Sequence, residues 1–158
     1  MPILACTHSG ITVTDMDRAK RFYIEGLGFR TAGSGGDDGH KIDASGEYGR
    51  LVSTLLEFDV PFEADVEFLN RDGATIELVA YVTPAPVTDT RRPTNICGLT
   101  HLGFEVDDVD ATAERLVALG GSVLSKTDLS AGPDGRRRKI VLCTDPDRGA
   151  RLELSQVV

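Results

Sequence analysis

Tryptophan is absent from this sequence of 158 residues, and sulphur-containing residues are scarce, with three cysteines and two methionines. The odd number of cysteines lacks the spacing of a disulfide framework. We therefore expect buried, reduced thiols at Cys6, Cys97 and Cys143 in a cytoplasmic protein. No apolar run approaches the roughly 18 residues that span a bilayer. The N-terminus carries no basic segment before a long apolar stretch, so no secretory signal is expected.

Basic residues are also in short supply, with 17 Lys and Arg against 25 Asp and Glu and a net charge of −8. This balance argues against broad electrostatic binding to nucleic acid or to an anionic membrane. The hydrophobic fraction of 41% is that of a globular protein, and the length suffices for one domain with its own core. A small molecule is the expected partner.

The sequence does contain an internal repeat. Residues 7–17, THSGITVTDMD, align with residues 100–110, THLGFEVDDVD, at an offset of 93. Farther along, GATIEL at 73–78 aligns with GARLEL at 149–154, at an offset of 76. Two matches in the same order indicate two duplicated modules. The difference of 17 between the offsets (93 less 76) is the number of additional residues in the first module.

Both modules have the same predicted order of elements, β-α-β-β-β. Alternating apolar residues predict a first strand at 7–14, and acidic residues before a helix-forming run predict a helix after each first strand. Further strands are predicted at 27–32, 63–70, 74–82, 122–126, 138–144 and 150–157. The fold class is therefore α+β, in one domain spanning 1–158. Module one is predicted at 1–83, a proline-containing linker at 84–96 and module two at 97–158.

The additional residues of module one fall within 33–58. The stretch GSGGDDG predicts a loop, and apolar residues at helical spacing predict a short helix over 48–56. This segment and the loop near 128–137 are the predicted rims of a substrate site, with Tyr48 and Arg138 as candidate substrate contacts. Arg138 belongs to the basic run RRRK, which either binds substrate phosphates or carboxylates or forms a solvated turn.

One His and one Glu recur at matched positions of the two modules. Because side chains alternate along a strand, His8 and Glu77 each lie opposite the large aliphatic residues of their strands, and His101 and Glu153 repeat this arrangement. Singly, such residues are more often solvated or structural, but their recurrence favours a metal site. Two imidazoles and two carboxylates suit a divalent ion whose octahedron is completed by water. These four ligands do not indicate whether the ion is zinc, nickel, cobalt, manganese or iron.

The opening THSGITVTDMDRAKRFYIEGLGF, together with HLGFEVDDVDA and DPDRGARLEL, resembles the vicinal oxygen chelate superfamily. This superfamily includes glyoxalase I, methylmalonyl-CoA epimerase, extradiol dioxygenases, and fosfomycin and bleomycin resistance proteins. The resemblance covers nearly the whole chain. It implies two pseudo-symmetric β-α-β-β-β modules that form a curved open-barrel cleft around the metal. It also implies first-strand ligands at His8 and His101 and last-strand ligands at Glu77 and Glu153, the set that resembles glyoxalase I.

The chemistry that the resemblance implies is proton transfer beside a carbonyl, through an enediolate or enolate that a Lewis-acidic metal stabilises. Glu153 or Glu77 would be the base, with Glu153 slightly preferred. A glyoxalase I-like lyase or isomerase is the first expectation and a methylmalonyl-CoA epimerase-like enzyme the second, so that the substrate would be a thiol conjugate or an acyl-CoA. A non-catalytic binding or resistance protein and an extradiol-type iron dioxygenase are the alternatives. Monomer and homodimer both remain open.

Overall fold

A computed structural model describes residues 3–32, 39–43, 45–88, 93–95, 97–129 and 134–158. Its elements, in chain order, are β1 (Ser9–Val13), α1 (Met16–Arg21), a π-helical segment (Phe22–Gly26), β2 (Arg30–Thr31), β3 (His40–Ile42), α2 (Glu47–Leu55), β4 (Glu63–Arg71), β5 (Ala74–Thr83), β6 (Leu102–Glu105), α3 (Val109–Ala118), β7 (Ser122–Leu129), β8 (Arg138–Thr144) and β9 (Arg151–Val157). The predicted α+β class is confirmed, and the predicted β-α-β-β-β order is found from β6 to β9, whereas the first half of the chain contains β3 in addition to the predicted elements. Within these residues, no helix combines the length and the apolar character that crossing a membrane requires.

The chain forms two compact units, each built on one sheet. Unit one comprises Met1–Lys20 and Gly28–Val87, and unit two comprises Arg21–Leu27 and Thr88–Val158. The strand order is β1-β5-β4-β2 in unit one, where β3 also pairs with β4, and β6-β9-β8-β7 in unit two. In each sheet the first strand runs parallel to the last, and the other strand pairs are antiparallel. This shared connectivity reproduces the sequence repeat in three dimensions.

The helix that follows each first strand begins at a matched aspartate. The Asp15 carboxylate accepts a hydrogen bond of 2.9 Å from the backbone N–H of Arg18. The Asp108 carboxylate accepts one of the same length from Ala111. Each side chain satisfies a backbone donor that has no partner within the first turn of a helix. The repeat therefore extends to the residues that begin its helices.

The buried face of each sheet carries the aliphatic residues that the alternation predicted. In unit one, Ile76 and Leu78 are 3% and 0% exposed, and in unit two Leu152 and Leu154 are both fully buried. The glutamates between these pairs stay on the opposite, half-exposed face. Since strand side chains alternate, burial of the leucines determines which face receives the glutamates.

The additional segment of unit one is more structured than the sequence predicted. The helix expected over 48–56 is confirmed as α2, but β3 was not predicted, and β2 is shorter than the expected strand at 27–32. Most of the expected loop, and residues 89–92 and 96 of the expected linker, lie outside the described residues. The linker boundaries stay a prediction.

An apolar cluster joins this segment to the sheet of unit one. Its buried members are Ile42, Phe62, Ala64 and Val66, and Val52, Phe58, Phe68, Val79 and Tyr81 pack against them. Val79 and Tyr81 follow Glu77 at alternate positions of β5, and Val79 pairs with Val66. Residues at alternate or paired positions share a face of a sheet. The segment therefore covers part of the face that carries Glu77.

The expectation of three buried thiols is wrong for two of them. Cys143 is buried in β8, whereas Cys6 and Cys97 are exposed. Both exposed cysteines lie in irregular segments just before the first strand of a module. An apolar sequence neighbourhood does not bury a residue that no sheet or helix covers.

Candidate metal centre

In unit one, the His8 imidazole faces the Glu77 carboxylate. His8 Nε2 lies 3.2 Å from Glu77 Oε2, and the two side chains are 40% and 25% exposed. The other ring nitrogen, Nδ1, lies 3.1 Å from Thr7 Oγ1. Phe68 packs its ring edge-on against the imidazole, with centroids 5.5 Å apart. The histidine is thus held on two sides, and its Nε2 points at a carboxylate.

Unit two repeats the arrangement with its own residues. His101 Nε2 lies 3.7 Å from Glu153 Oε2, with side chains 41% and 38% exposed. His101 Nδ1 lies 2.8 Å from Thr100 Oγ1. A hydroxyl oxygen can accept a hydrogen bond from a protonated Nδ1, and this tautomer leaves the Nε2 lone pair free for a metal. The two threonines contact the candidate ligands at matched positions, and the sequence analysis did not single them out.

The same register brings each pair together. Gly10 is the partner of Glu77 across the parallel strands, and Gly103 is the partner of Glu153. Each histidine lies two positions before its glycine and therefore on the same face. A Cβ at Gly10 would lie 3.7 Å from Glu77 Oε2, so a larger side chain there would compete for the space of the carboxylate. Glycine beside the glutamate leaves room for the neighbouring imidazole to reach it.

The spacing within each pair fits two ligands of one metal ion. Ligand atoms about 2.1 Å from an ion lie about 3.0 Å apart at an octahedral right angle and about 3.4 Å apart at a tetrahedral angle. The separation of 3.2 Å in unit one lies between these values, and that of 3.7 Å in unit two is longer than both, so His101 and Glu153 would have to move slightly closer to share an ion. Imidazole nitrogen with carboxylate oxygen is also a donor set that divalent transition metals accept.

The structure therefore brings the four predicted ligands together as two pairs, one in each unit. Within neither unit do the described residues contain a group of three or more His, Cys, Asp or Glu side chains that could hold a metal. Each pair alone supplies fewer protein ligands than the three or four of ordinary zinc sites.

Tyr81 adds a polar group to the face that carries Glu77, and the sequence did not single it out. Burial raises the pKa of its hydroxyl, a hydrogen bond with the Thr12 side chain lowers it, and the charge of Glu77 raises it. Its ring packs edge-on against Phe58 and Phe62. Tyr81 is therefore anchored by aromatic contacts while its hydroxyl lies within the field of a candidate ligand.

The two predicted substrate contacts lie in different surroundings. Tyr48 is 61% exposed on α2. Arg138 begins β8 and forms a two-pronged ion pair with Asp134, at 2.6 and 2.8 Å, and its side chain is 21% exposed. Contact of either residue with a substrate stays a prediction.

The turn that precedes β9 is organised by a buried carboxylate. Asp145 is 1% exposed, and its Oδ1 accepts a hydrogen bond from the Ala150 N–H at 3.2 Å. Burial raises the pKa of Asp145 to about 6, although backbone hydrogen bonds from the turn oppose the rise. This carboxylate positions the start of the strand that carries Glu153.

Comparisons with known proteins agree with this geometry. The model of the Glyoxalase/Bleomycin resistance protein/Dioxygenase superfamily matches residues 5–154. A 2-epi-5-epi-valiolone epimerase from Actinomyces sp is 32% identical over 157 residues, which cover 96% of this chain and 78% of that protein.

Solved structures show the same fold at lower identity. A glyoxalase family protein from Bacillus cereus superposes with a TM-score of 0.76 at 20% identity, covering 100% of this chain and 97% of its own. The fosfomycin resistance protein FosX from Mesorhizobium loti superposes with a TM-score of 0.57 at 17% identity, covering 97% and 91%. The chain belongs to the Glyoxalase/Bleomycin resistance protein/Dioxygenase superfamily, as its repeated motifs predicted.

Proposed function

We propose that the protein is a divalent-metal-dependent epimerase that transfers a proton beside the carbonyl of a small hydroxylated ketone. His8, Glu77, His101 and Glu153 are its proposed metal ligands. The observation that carries the proposal is the duplicated His–Glu pair, with Nε2 to Oε2 separations of 3.2 and 3.7 Å. The epimerase relative, whose substrate name denotes a ketone, supports the reaction type.

Epimerisation needs a base to remove a proton and an acid to return one to the other face of the carbon. A bound divalent ion would supply the Lewis acidity that makes such a carbon acid accessible. The duplicated glutamates give the chain two acid–base groups for the two proton transfers. Glu153 is the preferred base because it is the more exposed and lies farther from its histidine. Glu77, closer to its histidine, would then return the proton.

A glyoxalase I-like reaction is the second candidate, because the two-His, two-Glu set is the one that resembles glyoxalase I. It needs one proton to move between neighbouring carbons, so a single carboxylate would serve. The epimerase relative and the availability of two carboxylates favour epimerisation. The cytoplasmic location and the homodimer stay predictions.

The test is solvent exchange in heavy water. Protein reloaded with Zn, Ni, Co, Mn or Fe is incubated with hydroxylated cyclic ketones, hemithioacetals and 2-methyl-branched acyl-CoA thioesters. We expect deuterium beside the carbonyl of a ketone only when metal is present, and inversion at that carbon. Glu153→Gln should abolish exchange, whereas Glu114→Gln, an exposed glutamate of α3, should not.

The other outcomes separate the alternatives. Exchange confined to hemithioacetals would favour the glyoxalase I-like reaction, and exchange confined to the thioesters would favour the methylmalonyl-CoA epimerase-like one. Iron-dependent oxygen uptake would identify a dioxygenase. A protein that binds no metal and catalyses no exchange would be a binding or resistance protein.

A further inference from the structure

We propose that Tyr81 is a further catalytic residue, which donates a hydrogen bond to the substrate's carbonyl oxygen as negative charge develops there. Thr12 is the residue that positions the phenol for this contact. The inference rests on the proposed function for the reaction itself. It adds a residue to that reaction, and it orients the substrate so that its carbonyl oxygen faces unit one.

Tyr81 and Thr12 lie on the face of the sheet that carries Glu77. Tyr81 follows Glu77 by four positions in β5, and Thr12 of β1 pairs with Val79, which lies between them on that face. Paired and alternate residues share a face of a sheet. The Thr12 side chain is hydrogen-bonded to the Tyr81 hydroxyl. Because Thr12 lies beside Val79, this bond brings the phenol oxygen back along the strand toward Glu77.

The direction of this hydrogen bond leaves Tyr81 with a hydrogen to donate. Burial raises the pKa of Tyr81 and the charge of Glu77 adds to the rise, whereas the bond with Thr12 lowers it. A hydrogen bond that lowers the pKa of a phenol is one that the phenol oxygen accepts, so the Thr12 hydroxyl is the donor. Since Glu77 acts on Tyr81 through its charge and not through a hydrogen bond, the phenol O–H is available to a substrate oxygen.

A space of the length of a small ketone separates the Tyr81 hydroxyl from the Glu77 carboxylate. Glu77 Oε2 lies over Gly10, where a Cβ would be 3.7 Å away, and the Tyr81 hydroxyl lies at Thr12. Two residues along a strand span about 7 Å. A reacting carbon approaches a proton-transfer group to about 3–3.5 Å, and a carbonyl oxygen accepts an O–H at about 2.7 Å. These two contacts, with the bonds that join that carbon to the oxygen, bridge the space.

The phenol is held in place by packing. Its ring lies edge-on to Phe58 and Phe62, with centroids 6.0 and 5.3 Å apart. Gly10 has no side chain and Val79 is half-buried, so the floor between Tyr81 and Glu77 is low. A donor that is already fixed where charge develops stabilises a transition state without reorganising.

Unit two has no hydroxyl at the matched positions. The offsets of the repeat place Glu105 at the position of Thr12 (12 plus 93) and Val157 at the position of Tyr81 (81 plus 76). A valine side chain donates no hydrogen bond, and a carboxylate would repel an oxygen that gains negative charge. The carbonyl oxygen is therefore oriented toward unit one.

The hydrogen bond is strongest at the middle of the reaction. Glu153 removes the proton, the electron pair of the C–H bond becomes the carbon–carbon double bond of an enolate, and the carbonyl pair moves to the oxygen. Tyr81 shares its hydrogen with that oxygen and keeps the proton. When Glu77 returns a proton to the other face of the carbon, the carbonyl forms again and the hydrogen bond weakens.

The experiment follows inversion of 4-hydroxy-2-methylcyclohexanone by the zinc-loaded protein, since proton nuclear magnetic resonance separates the two diastereomers. Tyr81→Phe keeps the ring and removes only the hydroxyl. It should lower kcat about 100-fold and leave KM within about threefold, because the lost donor acts on charge that exists only in the transition state. Thr12→Val should lower kcat about tenfold, and Thr12→Ser should restore it.

Thr31→Val is the matched control. It removes an exposed hydroxyl from the same sheet, but Thr31 pairs with Leu69 on the opposite, buried face. Both kcat and KM should be unchanged in this variant.

A second readout needs no substrate. Ultraviolet titration of the metal-free protein, compared with that of Tyr81→Phe, isolates the ionisation of Tyr81. Thr12→Val should raise the pKa of Tyr81, because it removes the hydrogen bond that favours the phenolate. A titration of Tyr81 that is the same in Thr12→Val and in the unaltered protein would overturn the role of Thr12.

The two proposals can fail separately. A kcat that Tyr81→Phe leaves unchanged, or a loss confined to KM, would overturn the catalytic role of Tyr81 and leave the epimerase function standing. Absence of metal-dependent inversion by the unaltered protein would remove the epimerase function, and with it the step assigned to Tyr81.

Discussion

Asp145 carries a pH-dependent cost to stability that a single substitution should remove. The residue is 1% exposed, and burial raises its pKa to about 6 from an ordinary value of 3.8. When the folded-state pKa is the higher one, the unfolded chain loses its proton first as the pH rises. The stability that the protonated group provides is therefore complete below about pH 4 and is lost by the time the pH has passed 6.

The size of this effect follows from the shift. Each pKa unit corresponds to about 1.4 kcal/mol, so a rise from 3.8 to about 6 lowers the free energy of unfolding at neutral pH by about 3 kcal/mol. The amide introduced by Asp145→Asn carries no charge. When the pH is raised from 4 to 7.5, this variant should therefore gain about 2.4 kcal/mol in free energy of unfolding relative to the unaltered protein, since a small part of the effect is already present at pH 4. Any steric cost of the amide that does not vary with pH cancels when the change in free energy of unfolding at pH 4 is subtracted from that at pH 7.5.

Urea unfolding at pH 4, 5, 6 and 7.5 measures this difference. Asp107→Asn, which alters an exposed carboxylate of the same unit, is the control and should change the free energy of unfolding little at any of these values. A difference between Asp145→Asn and the unaltered protein that does not vary with pH would refute the reasoning.

Three further predictions concern single residues. Thr7→Val and Thr100→Val should each weaken zinc binding about tenfold, because each removes the hydrogen-bond partner of a candidate ligand imidazole. Serine at the same positions keeps the hydroxyl and should keep the zinc affinity of the unaltered protein. Equal zinc affinities in the valine, serine and unaltered proteins would contradict this role of the threonines. Ser53→Ala should lower the free energy of unfolding by about 1–3 kcal/mol, because the buried Ser53 hydroxyl oxygen accepts the Phe62 N–H at 2.6 Å; unchanged urea unfolding would contradict it. Gly10→Leu should abolish zinc loading while the circular dichroism spectrum is kept, and normal loading would disprove the role given to this glycine.

The parts of the fold that were predicted from the sequence are those with a local period or an internal copy. The two-residue period of β1 and β5 assigned their faces correctly, and the repeat then identified the matching strands of unit two. The pairing of each His with a Glu followed from the same alternation, since a shift by one residue would exchange the faces.

What could not be predicted depends on contacts distant in sequence. The residue types of the π-helical segment do not distinguish it from an α-helix. Its Gly26 allows close approach to α3, since a Cβ added at Gly26 would lie 2.6 Å from Leu116 Cδ2. β3 spans only three residues and forms by pairing with β4. The additional segment covers part of the Glu77 face through contacts that no local sequence pattern encodes. Cys6 is exposed because no helix or strand packs over it, which its apolar neighbours in the sequence do not reveal.

The measurement that tests the central claim most directly is metal stoichiometry. Metal-free protein is titrated with zinc, and bound metal is determined by mass spectrometry of the native protein. One ion per chain is expected, with affinity reduced at least about tenfold by each of His8→Ala, Glu77→Gln, His101→Ala and Glu153→Gln. Two ions per chain, or an affinity that substitutions in one unit leave unchanged, would contradict the proposed set of four ligands.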